Sequence, residues 1–548
     1  MQNHDPYERS RPGAPLSLAL LAAALWSTPT PAQQPQAAQQ PQALPQASGA
    51  ATRFTIEGFE LTGDVPLSPQ DSARVLAPFI GPNATMATLQ QATSALEAEL
   101  KAQGFALHRV SLPPQEVGAK VTLNLVKFVI GRITVEGQSQ YSQANIRASL
   151  PELREGQAPN FKKLAVQTAI ANDNPGKQVQ VSLKESSEPD RIDAKLLVKE
   201  SRPWNFSASL SNTGSESTGK NRLSLVGGHA NVFELDQQFA GAFTTSPENS
   251  GDVKQFGLNY LIPLYAQGGV LGLSYTNSNV VGNFGTFNST GAGQTWGISY
   301  NHHLAPEGGR RSYLTFALDD KLFNDTEVNG VPDPLKFNRR SRPVSLGYTA
   351  RIESDAAVWG YNADLAANLS SGANNDLTSY QSEDPRIERA NWKALRGGLN
   401  YLGSLKSGWL WGLKGQFQFS GDALISGEQF GLGGATSVRG VEERAISGDS
   451  GVSATLELTS PELAAGLRVL GFVDAGWLSN HNSDLNPNKP PSDQISSAGV
   501  GLRYTSGSFG MALDWARVLS GSVLPLSSSS IIPQTGDTKL HFNLSARF

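Results

Sequence analysis

Lys539-Leu540-His541-Phe542-Asn543-Leu544-Ser545-Ala546-Arg547-Phe548, the last ten residues, alternate without a break between polar and apolar side chains. Leu540, Phe542, Leu544, Ala546 and Phe548 fall on one face and Lys539, His541, Asn543, Ser545 and Arg547 on the other, as a strand between lipid and water requires. A soluble core strand can alternate too. The distinction lies in whether the rest of the chain repeats the pattern.

From Trp204 onward it does. Trp204, Phe206, Ala208 and Leu210 alternate with Asn205, Ser207, Ser209 and Ser211. Leu413, Gly415, Phe417 and Phe419 stand against Lys414, Gln416, Gln418 and Ser420, and Val452, Ala454, Leu456 and Leu458 against Ser453, Thr455, Glu457 and Thr459. Alternating segments begin near 204, 222, 237, 254, 270, 294, 312, 342, 357, 392, 408, 451, 467, 496, 508 and 538, which makes sixteen. An even number suits a bacterial barrel. Residues 204 to 548 divided among them leave about 22 for each strand and its connection, enough for strands of roughly ten tilted residues.

Composition agrees. Charged residues are 17%, Gly is 55 of 548, and hydrophobics are 39%. A transmembrane barrel gives this profile because each strand is half polar, so no long apolar run appears. No segment after the N-terminal one reaches the roughly 20 uninterrupted apolar residues of a spanning helix. The absence of cysteine excludes disulfides, zinc-thiolate sites and thiol catalysis. A net charge of −4 argues against a nucleic-acid partner. No two of the seven histidines share the i, i+4 spacing of a helical metal site, so neither a metal nor a cofactor is expected.

Before the barrel, Arg9 and Arg11 precede an apolar stretch from Pro15 to Trp26, and Thr30-Pro31-Ala32 supplies small residues for cleavage. Residues 1–32 read as an export signal and residues 33–52, rich in Gln, Ala and Pro, as a linker in which Pro35, Pro41 and Pro45 prevent a plug helix. Two segments of similar plan follow, at 53–127 and 128–199, each a strand, two helices and two strands. Phe54-Thr55-Ile56-Glu57-Gly58 is matched to Ile133-Thr134-Val135-Glu136-Gly137, with each Gly expected at positive φ. Leu89, Ala92, Leu96 and Leu100 keep helical spacing, Gly104 stops that helix, and Phe105 to Val110 is expected as a strand.

Two enzyme-like motifs lack their context. Gly448-Asp449-Ser450-Gly451 resembles a protease nucleophile tetrapeptide, but no His stands in a partner motif. Gly214 to Asn221 falls one residue short of a phosphate loop and leads into the alternating Leu223-Ser224-Leu225 instead of a helix, so no nucleotide is expected. The stretch Gly431-Leu432-Gly433-Gly434-Ala435-Thr436-Ser437-Val438-Arg439-Gly440 is different. Small residues let a loop pack inside a barrel, and an Arg carried there needs an acid. Phe472-Val473-Asp474-Ala475-Gly476 offers one: Val473 and Ala475 face lipid, so Asp474 faces the lumen.

The Ser-Val-Arg-Gly loop, the Phe-x-Asp-x-Gly strand, the terminal Phe and the two modules together resemble the two-partner secretion transporters, the family of haemolysin and filamentous haemagglutinin exporters. The likeness covers residues 53–548. It implies two small α+β POTRA domains at 53–127 and 128–199 in the periplasm, then a 16-stranded antiparallel transmembrane β-barrel over 200–548 in the bacterial outer membrane, with a lumen loop at 427–447. It further implies that Arg439, flanked by Ser437, Val438 and Gly440, meets Asp474 of the barrel wall, flanked by Phe472 and Gly476. Phe548 is the corresponding assembly signal, read by the machinery that inserts the barrel into outer-membrane lipid. Leu107-His108-Arg109-Val110-Ser111-Leu112-Pro113-Pro114-Gln115 resembles the end of the family's first POTRA module, which makes Phe105, Leu107, Arg109 and Val110 candidates for partner binding. Val441 departs from the family, where an aromatic commonly follows the Arg-Gly pair.

The implied function is an export pore, not an enzyme. An unfolded exoprotein is bound in the periplasm and secreted through the barrel. The alternative is an insertase of the related barrel-assembly branch, which usually carries more than two POTRA modules. The Arg439 and Asp474 pair is compatible with a stability anchor and with a moving part.

Overall fold

The computed structural model describes residues 53–548 apart from 117, 217, 281, 285–286, 290, 325–326, 329–330, 333–336 and 526–531. The expected export signal and linker lie outside the described residues, as does the expectation that no plug helix forms from 33 to 50. The chain divides into two compact units. One comprises the described residues up to Thr134 with Glu152–Leu164 and Val181–Leu196; the other comprises Val135–Pro151, Ala165–Gln180 and Leu197–Phe548.

Alternation in the sequence becomes a closed antiparallel barrel of sixteen strands. Counting barrel strands alone, they are β1 (Trp204–Ser211), β2 (Arg222–Val232), β3 (Gln237–Thr245), β4 (Lys254–Leu264), β5 (Gly269–Ser278) and β6 (Gly293–His303). There follow β7 (Arg310–Phe323), β8 (Arg339–Ser341 and Pro343–Glu353, interrupted at Arg342), β9 (Ala357–Asn368), β10 (Lys393–Ser404) and β11 (Leu410–Ser420). The ring closes through β12 (Ser450–Thr459), β13 (Leu467–Ser479), β14 (Ser492–Ser506), β15 (Phe509–Ser520) and β16 (Thr538–Arg547). Outward positions stay exposed and apolar: Trp204, Phe206, Leu456, Leu458, Val473, Trp515 and Leu540. Their neighbours point into the lumen, where Asp474 and His541 are buried.

Strand pairing is uneven around the ring. β13 and β14 are in register over thirteen positions and β1 and β2 over eight, whereas β16 meets β1 over only five, Asn543 to Arg547 against Ser207 to Ser211. Phe548 extends the seam by one backbone bond, its N–H donating to the carbonyl of Phe206 at 2.9 Å.

In the first module Gly58–Gly63 runs parallel to Lys120–Lys127, which takes His108–Ser111 on its other side. The helices Pro69–Leu76 and Met86–Ala102 are capped by the side chains of Ser68 and Thr85. Leu89, Ala92, Leu96 and Leu100 are buried with Val121, Leu123 and Leu125. Two sequence expectations need correction. Gly58 does not take positive φ; Gly63 does (φ 82°), as Gly137 does in the second module (φ 88°). A side chain at either would collide with a carbonyl of the adjacent strand, Leu125 or Val198, so Gly63 and not Gly58 is the counterpart of Gly137. Phe105 to Leu107 form a turn, not a strand: the Phe105 carbonyl accepts from the His108 N–H at 3.1 Å, and the strand begins only at His108.

The second module has helices Gln143–Ala148 and Phe161–Asp173 and strands Val129–Glu136, Arg191–Glu200 and Lys177–Glu185 in that spatial order. Within the barrel-containing unit a buried polar knot ties Lys177 to the turn joining β2 and β3. The Lys177 ammonium lies 2.5 Å from Asp236 and donates to Asn145 Oδ1 at 2.8 Å. Tyr265 donates its hydroxyl to Asp236, and Asn174 donates to the Ala230 carbonyl. Burial pushes the Lys177 pKa down while Asp236 pulls it back up. Phe233, Glu234 and Asp236 all have positive φ (56°, 57° and 59°), a backbone that such residues hold only when their surroundings impose it.

At the other end of the barrel, helix Leu377–Glu383 and the β11–β12 connection bury Tyr380, Trp392, Leu424 and Ile425 together. Arg386, fully buried, donates to Asp384 and to Asp449 at 2.8 Å each. The protease-like tetrapeptide is thereby used up as a fastening. Asp449 also accepts the N–H groups of Leu424 and His481, and the Ser450 hydroxyl is spent on the backbone of Ser420.

Candidate functional site

The connection from β11 to β12 folds into the lumen as a hairpin, Phe430–Leu432 paired with Ile446–Gly448, whose tip spans 433–445. Its apolar residues give it a small core. Leu432, Val438, Val441 and Ile446 pack with Leu478, Ile495 and Val518 of the barrel wall. Val441 is thus buried without the aromatic ring that the family resemblance would put there. Gly440, at φ 97°, turns the chain beside Ala516, where a larger residue would be strained.

That packing delivers Arg439 to the wall at 3% exposure. Its Nε and Nη2 donate to the two carboxylate oxygens of Asp474 at 2.8 and 2.9 Å, a bidentate fork. The backbone N–H of Arg439 donates to Asp474 as well, at 3.0 Å. The remaining terminal nitrogen, Nη1, donates to Glu457 at 2.8 Å and stands 3.7 Å from Asp514. Phe472 lies flat beneath the guanidinium, 3.3 Å from ring centre to Cζ. Gly476 leaves room for Leu432, whose Cδ2 would sit 2.5 Å from a Cβ there. Ser437 caps the tight turn at the tip, its N–H donating to the Gly434 carbonyl at 3.3 Å.

The structure therefore brings Val438, Arg439, Gly440, Phe472, Asp474 and Gly476 into one cluster. Sequence reading missed Glu457, Asp514, Arg503 and His541. Arg503 grips Asp514 by a second bidentate fork at 2.7 and 2.9 Å, and His541 Nε2 accepts the Gly440 N–H at 3.0 Å. All four occupy lumen positions of alternating strands, so the signal was present, but alternation names a face and not a neighbour across the barrel. A cavity of about 300 Å³ lies beside the tip, lined by Thr436 and Ser437 and by Asp364, Arg396, Lys414 and Thr455 of the wall.

The four candidate partner-binding residues of the first module are not a surface patch. Phe105 and Val110 pack against its core and Leu107 is buried, leaving Arg109 exposed. What His108–Ser111 does present is backbone, because it is the last strand of its sheet. The Val110 N–H on that edge is already taken by Glu97 at 2.9 Å.

Comparison with known proteins identifies the family and the fold. The family described as "Haemolysin secretion/activation protein ShlB/FhaC/HecB" matches residues 191–504, and the ShlB-type POTRA domain matches residues 54–127. Among curated relatives, the outer membrane transporter CdiB of Dickeya dadantii is 25% identical over 79% of this chain and 77% of its own length. The heme/hemopexin transporter protein HuxB of Haemophilus influenzae is 22% identical over 82% of this chain and 81% of its own. The solved structure of CdiB from Escherichia coli superposes with a TM-score of 0.70 at 20% identity, covering 92% of this chain and 93% of that one. CdiB from Acinetobacter baumannii does so with a TM-score of 0.67 at 17% identity, covering 92% and 91%. These two establish the likeness of fold.

Proposed function

The chain belongs to the ShlB/FhaC/HecB family of haemolysin secretion/activation proteins, and from that premise we propose that the lumen hairpin is the moving part of its secretion pore. The protein is an outer-membrane transporter of the two-partner kind, with its POTRA domains in the periplasm and an exoprotein as cargo. A barrel of sixteen strands encloses a lumen that admits an extended polypeptide and excludes a folded domain. The hairpin tip occupies part of that lumen, so passage of a chain requires it to shift.

One observation carries this reading. The tip is held by a few directional polar bonds from Arg439 and its main chain to Asp474, Glu457 and His541, in addition to a modest apolar cluster, and a cavity lies beside it. Such a contact has two discrete states, made and broken. Capture of cargo is assigned to the first module. An unfolded segment adds as a strand along His108–Ser111, displacing Glu97 from Val110, and binds through backbone more than through Phe105, Leu107 or Val110. Direction comes from folding of the cargo outside. Phe548 serves as the signal by which the cell's barrel-assembly machinery recognises this chain.

The test is secretion of the neighbouring large exoprotein in cells with and without this chain, with porin levels followed in the same samples. Loss of the exoprotein alone is the expected result. A general fall in outer-membrane proteins would instead establish an insertase.

A further inference from the structure

Among the described residues, two wall residues accept a hydrogen bond from the main chain of the hairpin tip, Asp474 from Arg439 and His541 from Gly440, and of the two His541 does so with an imidazole nitrogen. An amide N–H can only donate, so Nε2 of His541 carries a lone pair and the ring is neutral, with its proton on Nδ1. Nδ1 itself is buried and makes no hydrogen bond, so the side chain is held for what Nε2 does. We infer that neutral His541 is a positioning residue for the hairpin, and that its protonation releases the tip and opens the pore.

Two consequences of protonation act in the same direction. An imidazolium has donors on both nitrogens, so Gly440 loses its acceptor and two N–H groups face each other. The new cation also competes for the carboxylates that hold Arg439. Asp514 stands directly opposite His541 on β15, and Asp474 on β13 is its other acidic neighbour. The cations around it oppose the added charge. They are Arg439 on the hairpin, Lys539 on its own strand, itself 4.0 Å from Glu442 of the tip, and Arg503 on β14 through its fork on Asp514. Adding one positive charge to this set favours departure of the one member on a movable element, which is Arg439. The inference rests on the reading of the hairpin as the moving part.

The experiment is conductance of the full-length protein in planar bilayers, titrated from about pH 8 to about pH 4 so as to span the ordinary imidazole range. Wild type should rise severalfold on acidification. His541→Gln keeps an oxygen acceptor that takes no proton and should stay at the neutral level, while His541→Lys should conduct at that raised level throughout. Heat-modifiable gel mobility verifies that each variant is a folded barrel. A His541→Gln curve that follows wild type overturns the role of His541. Arg439→Ala separates the two readings: conducting at every pH, it upholds the hairpin as gate whatever His541 does; closed at every pH, it removes the gate and this inference with it.

Discussion

At the scale of single residues, the decisive property of Arg439 is its shape. A planar fork satisfies both oxygens of Asp474 while still reaching Glu457, and a lysine ammonium offers no such pair of parallel donors. Arg439→Ala leaves Asp474 buried without its partner, a loss that in comparable sites costs about 3–5 kcal/mol. Because the pair fastens a hairpin and not the strands themselves, that loss is expected to fall on hairpin occupancy. Arg439→Ala and Arg439→Lys should insert normally and conduct without cargo, yet secrete poorly because the docked state from which cargo is admitted is lost, with Asp474→Asn closer to wild type because an amide still accepts one bond. Secretion assays read beside heat-modifiable mobility check this. Variants that secrete in proportion to the folded barrel remaining would make the pair a stability anchor only.

At the scale of elements, the knot around Lys177 makes the corresponding argument for the second module. Lys177→Met strands Asp236, and the strained turn at 233–236 loses what imposes its backbone. This variant should raise the rate at which trypsin cuts within 135–180 by an order of magnitude or so, and Lys177→Met/Asp236→Leu should recover most of the protection. Digestion of the detergent-solubilised full-length protein, in which the periplasmic modules are open to the protease, gives both rates. The elements also show what sequence could and could not disclose. Every barrel strand was legible because lipid on one side and water on the other write a period of two directly into the chain. Phe105 to Leu107 were misread because their apolar side chains serve a turn packed on a core, where burial carries no period. The glycines were misaligned because Gly58 and Gly63 look alike in sequence, and only the carbonyl of Leu125 distinguishes them. Arg439 and Asp474 could be paired from motif and charge, whereas Glu457, Asp514 and His541 became partners only when the barrel closed.

For the whole molecule, the seam between β1 and β16 is the shortest register in the ring. It raises the question of whether cargo leaves through the lumen or sideways. The chain has no cysteine, so a single engineered bridge has no competitor. Ser209 and Ser545 lie directly opposite each other on the lumen face of the seam. Oxidised Ser209→Cys/Ser545→Cys should secrete at near the wild-type rate, as a route along the barrel axis requires. Recovery of secretion only after reduction would make the seam itself the exit.

The carboxylates that hold Arg439 have a second life once it leaves. Asp474, Glu457 and Asp514 remain on the wall and lose the guanidinium that they shared, with Arg503 still on Asp514, so withdrawal of the hairpin makes this patch of the lumen more electronegative. The open pore should therefore prefer cations, with a reversal potential under a salt gradient that shifts toward the cation side as Arg439→Ala opens it and returns toward zero when Glu457→Gln is added. A polypeptide threading past would meet the same field, so basic stretches of cargo would be drawn in and acidic ones slowed. The lock that keeps the channel shut is in this sense also its filter.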